Sequence, residues 1–341
     1  MRRLILLFVA GLILGPVLPL RAGDAAPPDA SASALPADAA PAASNLKTSY
    51  EFDADLSAVG DATTNFGRGI MGDVSEQATS ERLLIEPQYG DTPIYRFGLG
   101  YQRYNFGLSK AAPLPDILQA ENIVVGLDFS AFNSWLFRVE ADPGIYNDGR
   151  DTGFRDFNIP FTIGGSYIAS DTIQWIAGLS IDIDRQLPII PAVGVHWSVT
   201  DSWVIDAVLP TPRIEYDYNK NLTFYVGGDF DDGTYRVDKG LGNSFDNANP
   251  TVSTTSSGVM AKTSVTKTVP NTLAAHLGGS VVEYDEIRVG AGMSWKASKD
   301  LTFELECGYL PYREFDFHRA NLHFTNDSGA PYGRLSLNAQ F

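Results

Sequence analysis

From residue 48 onward the chain alternates apolar and polar residues with a period of two, and this constrains the fold more than any other feature. Tyr50, Phe52, Ala54 and Leu56 alternate with Glu51, Asp53, Asp55 and Ser57, and Ile123, Val125, Leu127 and Phe129 alternate with Asn122, Gly126, Asp128 and Ser130. The runs Ile173–Ile183 and Leu301–Tyr309 repeat the pattern. Successive side chains on a strand point to opposite faces, so such runs are two-faced strands. No segment after residue 22 keeps a helical period over three turns.

Fourteen strands are expected, at about 48–59, 81–90, 93–108, 121–131, 134–142, 156–169, 172–184, 189–199, 202–209, 212–218, 221–236, 279–296, 300–313 and 331–341. Twelve is the alternative count, because Pro210 and Pro212 can mark a bulge rather than a turn. Every second connection is short and the others are mostly long, the layout of transmembrane barrels with tight periplasmic turns and long outer loops. An even count puts both ends of the barrel on the turn side. Most runs reach ten residues or more, close to the 9–11 that a tilted strand needs to cross hydrocarbon. The predicted class is therefore all-β, an antiparallel up-and-down transmembrane β-barrel.

The tryptophans point the same way. Trp135, Trp175, Trp197, Trp203 and Trp295 all lie on the apolar face of their strands and beside a short turn. Indole joins an apolar body to a polar N–H and favours the headgroup level of a bilayer, so these five are the expected membrane-interface residues. Four hairpins, YIASDTIQW, HWSVTDSWVI, DYNKNLTFY and WKASKDLTF, place aromatic residues around turns of Ser, Thr, Asp, Asn or Lys, a repeated local solution.

Residues 1–22 read as a signal peptide: Arg2 and Arg3 precede an apolar run from Leu4 to Leu20. Gly11, Gly15, Pro16 and Pro19 make that run a poor permanent span. Residues 23–46, nearly all Ala, Pro, Asp and Ser, read as a flexible linker, leaving 47–341 as the barrel domain. Cys307 is the single cysteine and forms no intramolecular disulfide. The net charge of −16 excludes a nucleic-acid partner, whose phosphates need Lys and Arg. Four scattered histidines and one cysteine give no zinc-ligand spacing, and neither a metal nor a cofactor is expected. The expected surroundings are membrane lipid and small solutes.

The last strand places Leu335, Leu337, Ala339 and Phe341 at every second position. Here the sequence resembles the bacterial outer-membrane β-barrel (porin-like) superfamily, whose final strand typically ends in an aromatic residue. The resemblance implies that these four residues act as an insertion signal for the barrel insertion machinery and that the protein resides in the bacterial outer membrane, in contact with outer-membrane lipid. Segments 209–236 and 283–317 also look like an uncharacterised outer-membrane domain family of unknown function, which implies a barrel and no catalytic residues.

If the apolar face meets lipid, the other face lines a lumen. The predicted lumen-lining residues are Arg82, Arg96, Arg138, Arg213, Arg288 and Arg334 with Glu86, Asp128, Glu140, Asp182, Asp206, Glu215, Asp229, Glu304 and Glu306. One reading is a scaffold of Arg–carboxylate pairs that stiffens the barrel. The other is a water-filled path whose acidic excess favours cations. The 237–278 loop is long enough to fold inward or to extend outside. His196 and Ser198 share a strand face, similar to the His and Ser of outer-membrane phospholipases. There the pair faces lipid, whereas here Val195, Trp197 and Val199 take that face. The expected function is passive passage of small solutes with mild cation preference; a closed structural or surface-interaction barrel and a lipid-modifying enzyme are the alternatives.

Overall fold

The protein is described here by a computed structural model covering residues 46–67, 69–90, 93–132, 134–150, 152–249 and 273–341. The signal-peptide segment and all but the last residue of the linker lie outside the described residues, as does the middle of the 237–278 loop. All strands belong to one sheet that closes into an antiparallel barrel of fourteen strands, so the twelve-strand alternative falls away. In chain order they are β1 (Leu46–Asn65), β2 (Met71–Tyr89), β3 (Ile94–Leu108), β4 (Ile117–Ala131), β5 (Trp135–Ala141), β6 (Phe161–Ile168), β7 (Ile173–Ile181) and β8 (Ile189–Ser198). They continue as β9 (Trp203–Ala207), β10 (Arg213–Asn219), β11 (Leu222–Arg236), β12 (Val281–Ser298), β13 (Leu301–Phe317) and β14 (Ala330–Gln340). Each pairs with its chain neighbour, and β1 closes the ring on β14 with Phe52 opposite Ala339 and Leu56 opposite Leu335. Closure removes the free edges that neither lipid nor water tolerates well.

The tight turns hold themselves by side chain to backbone bonds. Thr200 Oγ1 accepts from the amides of Ser202 and Trp203, at 3.3 and 3.1 Å. Asn219 Oδ1 does the same for Asn221 and Leu222, and Ser170 Oγ for Thr172 and Ile173. These polar residues satisfy local amides without lengthening the turn.

Two boundaries differ from the sequence expectation. β1 runs on to Asn65 and β2 begins at Met71, so the expected 60–80 loop is a hairpin with a short tip. The expected loops 143–155 and 314–330 contain short strands at Gly144–Asn147 and Leu322–Thr325. These segments matter because they draw the outer end of the barrel together. Gly144–Asn147 pairs with β4 on one side and, through Asn147 and Arg236, with β11 on the other. Leu322–Thr325 pairs with β13, and the next residue, Asn326, bridges to Thr64 of β1. The upper parts of β1, β2, β3, β4, β11, β12 and β13 thus close with these two segments into a smaller ring. Strands β5–β10 stop short of it.

A barrel of about eight strands has an interior just wide enough for its own side chains to fill. The ring follows this rule. Its interior holds Val74, Tyr104, Phe106, Leu118, Tyr235, Val282, Tyr284, Phe315 and Phe317, all buried. The rings of Tyr104, Phe106, Tyr284 and Phe315 meet at centroid distances of 5.0–5.4 Å. In the described parts of the 237–278 loop, Phe245 on α1 (Asn243–Ala248) and Leu277 on α2 (Leu273–Leu277) join the same cluster. These described ends of the loop pack inward, one of the two sequence expectations for it.

Below the ring the pattern inverts. Leu83, Ile85, Phe97, Leu99, Ile123, Val125, Val226, Val289, Met293 and Leu305 face outward and are exposed. On β2–β4 the apolar belt ends at one level, where Glu81 pairs with Tyr101 and Tyr101 with Glu121. Above that level Gln77, Thr79, Arg103 and Gln119 take the outward face and apolar residues turn inward. An exposed belt that wraps a barrel and stops at a polar rim is the signature of a lipid-facing surface.

Glycines relieve crowding where strands approach closely. Gly308 sits opposite Gly290, and a Cβ on Gly308 would collide with the Val289 carbonyl and the Tyr332 ring. Gly308→Val is expected to lower the yield of folded barrel, read as loss of the heat-modifiable band, whereas Ser294→Val at the same strand pair is expected to keep it.

Candidate functional site: the lumen and its outer closure

The tryptophans lie outside, towards the turn end. Trp175 is 56 % exposed, and Trp135, Trp197, Trp203 and Trp295 are exposed as well. Each has aromatic company or open surface at that level: Trp135 lies 5.1 Å from Tyr167, Trp203 4.9 Å from Tyr216 and Trp295 5.9 Å from Phe303. Phe341 is also exposed, and its backbone exchanges two hydrogen bonds with Tyr50 at 2.9 and 3.0 Å. Further up the same strand Leu335 faces outward, Leu337 is half-buried, and Ala339 is covered by its neighbours. Cys307 sits exposed on the same outer face.

The lumen-face charges sort by height. At the membrane level they form ion pairs, buried around Arg96 and Glu140 and partly open at Asp128 and Glu304. Arg138 holds Asp128 with both ends of its guanidinium, at 2.8 and 2.6 Å. Arg96 lies between Glu86 at 3.1 Å, Glu140 at 3.3 Å and Asp128 at 3.6 Å, and Arg82 meets Glu140 at 2.6 Å. Arg213 lies 3.3 Å from Glu304 and 3.9 Å from Glu306, which also accepts from Tyr332. Arg334 reaches Asp55 at 2.5 Å and Asp229 at 2.6 Å, the latter on a strand three places round the barrel. The side chains of Asp128 and Glu304 keep 22 and 29 % of their surface exposed, so space open to water reaches them in the lumen. Glu51, Asp53, Glu215 and Asp217 remain beyond the arginines' ion pairs, leaving acid in excess.

One level up, charge is fully buried. Glu76, Glu286, Arg288 and Arg313 lie beneath the aromatic cluster with side chains at most 4 % exposed. Glu76 meets Arg288 at 2.9 Å and Arg313 at 2.7 Å, Glu286 pairs with both arginines, and Tyr284 donates to both carboxylates. Asp231 accepts from Tyr104 across the barrel. Arg288, expected to line a lumen, lies in the sealed ring. Glu76 was missed because the outward residues of β2 at that height, Ser75, Gln77 and Thr79, are polar too, which erases the alternation.

Beside the ring, above the short β9 and β10, a polar seam completes the closure. Asn158 Nδ2 donates to Asp182 at 2.9 Å and to Thr234 at 3.2 Å, and Thr234 donates to Asp182 at 2.7 Å. The 182–188 connection lies against β11 and β12 through Arg185 and Asp232 at 2.5 Å, and the Gln186 amide and Glu283 at 2.8 Å. Arg319, on the 318–320 turn, pins its Asp184 at 2.7 Å. Burial, helped by neighbouring Arg319, holds His318 on that turn below the ordinary histidine value, so Arg319 carries the turn's positive charge near neutrality.

His196 and Ser198 both turn towards the lumen. The His196 Nδ1 is 3.6 Å from Asp206, its cross-strand partner, rather than directed at Ser198. No group of metal-ligating side chains suited to an ion occurs among the described residues.

No family model matches the chain, and no curated protein matches it. Among solved structures the chain is similar to a TodX monoaromatic hydrocarbon channel mutant, at 12 % identity and TM-score 0.47 over 86 % of this chain and 90 % of that one. It is also similar to the COG4313 outer membrane channel from Pseudomonas putida F1, at 10 % identity and TM-score 0.40 over 91 and 100 %. The KdgM porin is a third, at 10 % identity and TM-score 0.31 over 85 and 99 %. With its own lipid-facing belt and closed sheet, the chain is a transmembrane β-barrel.

Proposed function

We propose that this protein is an outer-membrane, porin-like barrel that passes small solutes passively and prefers cations. The observation that carries the reading is the lumen open to water at the membrane level, where carboxylates outnumber guanidinium groups and Glu51, Asp53, Glu215 and Asp217 stay outside the arginine pairs. Charged rings in a water-filled pore select for the opposite charge. A lipid-facing belt supports residence in the outer membrane. The expected periplasmic linker, the insertion-machinery partner and the interface role of the tryptophans belong to the same reading.

The closed outer end favours a second reading, a structural or surface-interaction barrel without transport. Planar bilayers separate the two. Under a KCl gradient the purified protein is expected to give conductance steps whose reversal potential lies on the potassium side. Tyr104→Ala, which cuts the centre of the aromatic layer, is expected to raise the conductance. Silence from both proteins, each verified as inserted, would remove the channel and leave the structural barrel.

A further inference from the structure

The outward faces of β11, β12 and β13 at the outer end carry carboxylates in two rows. Asp232, Asp285 and Glu314 are direct cross-strand partners in one row, and Glu283 and Asp316 in the next. Like charges directly opposite one another destabilise a sheet. Asp232, Glu283, Asp285 and Glu314 are also buried, which raises the cost of leaving them without a cation.

Among the described residues one guanidinium forms an ion pair with these carboxylates, while Glu314 accepts from Tyr312 and Asp316 lies opposite His323. Arg185, carried by the 182–188 connection, places Nη2 2.5 Å from Asp232 and donates from Nη1 to Ser180 at 2.9 Å. Its Nε is buried and meets no acceptor. Asp285 is 7 % exposed and its side chain makes neither a hydrogen bond nor an ion pair among the described residues; burial, then neighbouring Glu283, Asp232 and Glu314, push its carboxyl well above the usual carboxylate range, and Arg185 is the nearby group that opposes this. A buried guanidinium with a spare donor faces a buried carboxylate with spare acceptors. The site is built for a cation and only partly filled by this one. The seam that holds Arg185 consists of ion pairs and hydrogen bonds, which an incoming polar solute can replace at little net cost. The aromatic ring beside it offers no such exchange.

We propose that this carboxylate face is an outer binding site for small solutes bearing a guanidinium or ammonium group, and that Arg185 occupies it as an internal stand-in. Solute binding and release of the 182–188 connection are then one competition. The inference rests on the cation-preferring reading above, since it names the solute class that reading would admit.

Agmatine, which carries both groups, is the probe, with sucrose as a neutral control; binding is followed by calorimetry on the full-length protein in detergent. Arg185→Gln is expected to bind agmatine about tenfold more tightly than the wild type, as follows when a competitor filling about nine-tenths of the sites is removed. Adding Asp285→Asn to Arg185→Gln is expected to abolish that gain. A heat-modifiable band verifies folding of each variant, and Glu283→Gln replaces Asp285→Asn if the latter fails to fold. Equal agmatine affinity in wild type and Arg185→Gln, or a gain that survives loss of the carboxylate, overturns the site. Conductance in bilayers without agmatine binding by Arg185→Gln likewise overturns it and leaves the channel standing. Tighter binding by Arg185→Gln with no conductance in either protein keeps the site and removes the channel.

Discussion

Replacing Glu76 with alanine is expected to cost about 3–5 kcal/mol of unfolding free energy, the usual penalty for breaking a buried charge network from one side. Glu76 is fully buried and bonds both Arg288 and Arg313. Without it Glu286 faces two guanidiniums alone, and one positive charge is left inside a ring packed with phenylalanine and tyrosine. Neither charge can swing into water, because the ring is closed by strands on every side. Urea unfolding of the folded barrel, followed by tryptophan fluorescence, reads the loss. Replacing Glu76, Glu286, Arg288 and Arg313 together with apolar residues of similar size is expected to cost less than Glu76→Ala alone, since no charge is then stranded. A loss under about 1 kcal/mol for Glu76→Ala, the range of exposed pairs, would show that water reaches the network and that the ring is not sealed.

The second large effect belongs to the lipid face. Val226 lies outward near the middle of β11 and is 55 % exposed. Val226→Arg is expected to destabilise the barrel in lipid by about 2–4 kcal/mol, the cost of an arginine near the bilayer midplane of such barrels. Gln77→Arg, outward but above the polar rim, is expected to be near neutral. The pair of substitutions places the same charge on the same outer surface at two heights. Comparable stability of both variants in phospholipid vesicles would mean that the belt at Val226 does not meet acyl chains, and the transmembrane reading would fall.

Much of the barrel was legible in the sequence because a lipid-facing wall needs one apolar side chain at every second position. Tyr50–Leu56, Ile123–Phe129 and Leu301–Tyr309 obey this rule, and their strands, faces and turns follow from it. The tryptophans and the arginine–carboxylate pairing around Arg96, Arg138 and Arg334 were visible for the same reason. The outer end was less visible. In β3 the apolar positions move from Phe97 and Leu99 to Tyr104 and Phe106, from odd to even, without a break in pairing. That switch marks the height at which water replaces lipid outside and the interior becomes the dry side. In β13 one extra residue between Tyr309 and Tyr312, set against Ile287 and Val289, turns Phe315 and Phe317 inward by a bulge.

The sequence by itself determined the local rule: which residues are strands, which face of each is greasy, and where hairpins turn. It carried no information on which strands meet across the barrel, because such partners lie far apart in the chain and leave no periodic trace. Tyr104 and Asp231, Glu76 and Arg313, and Arg185 and Asp232 are brought together only when the sheet closes. The narrowing itself hangs on two short segments, Gly144–Asn147 and Leu322–Thr325, too brief to show a period. Only the tertiary structure decided that a barrel wide enough to hold water is shut at its outer end by its own side chains.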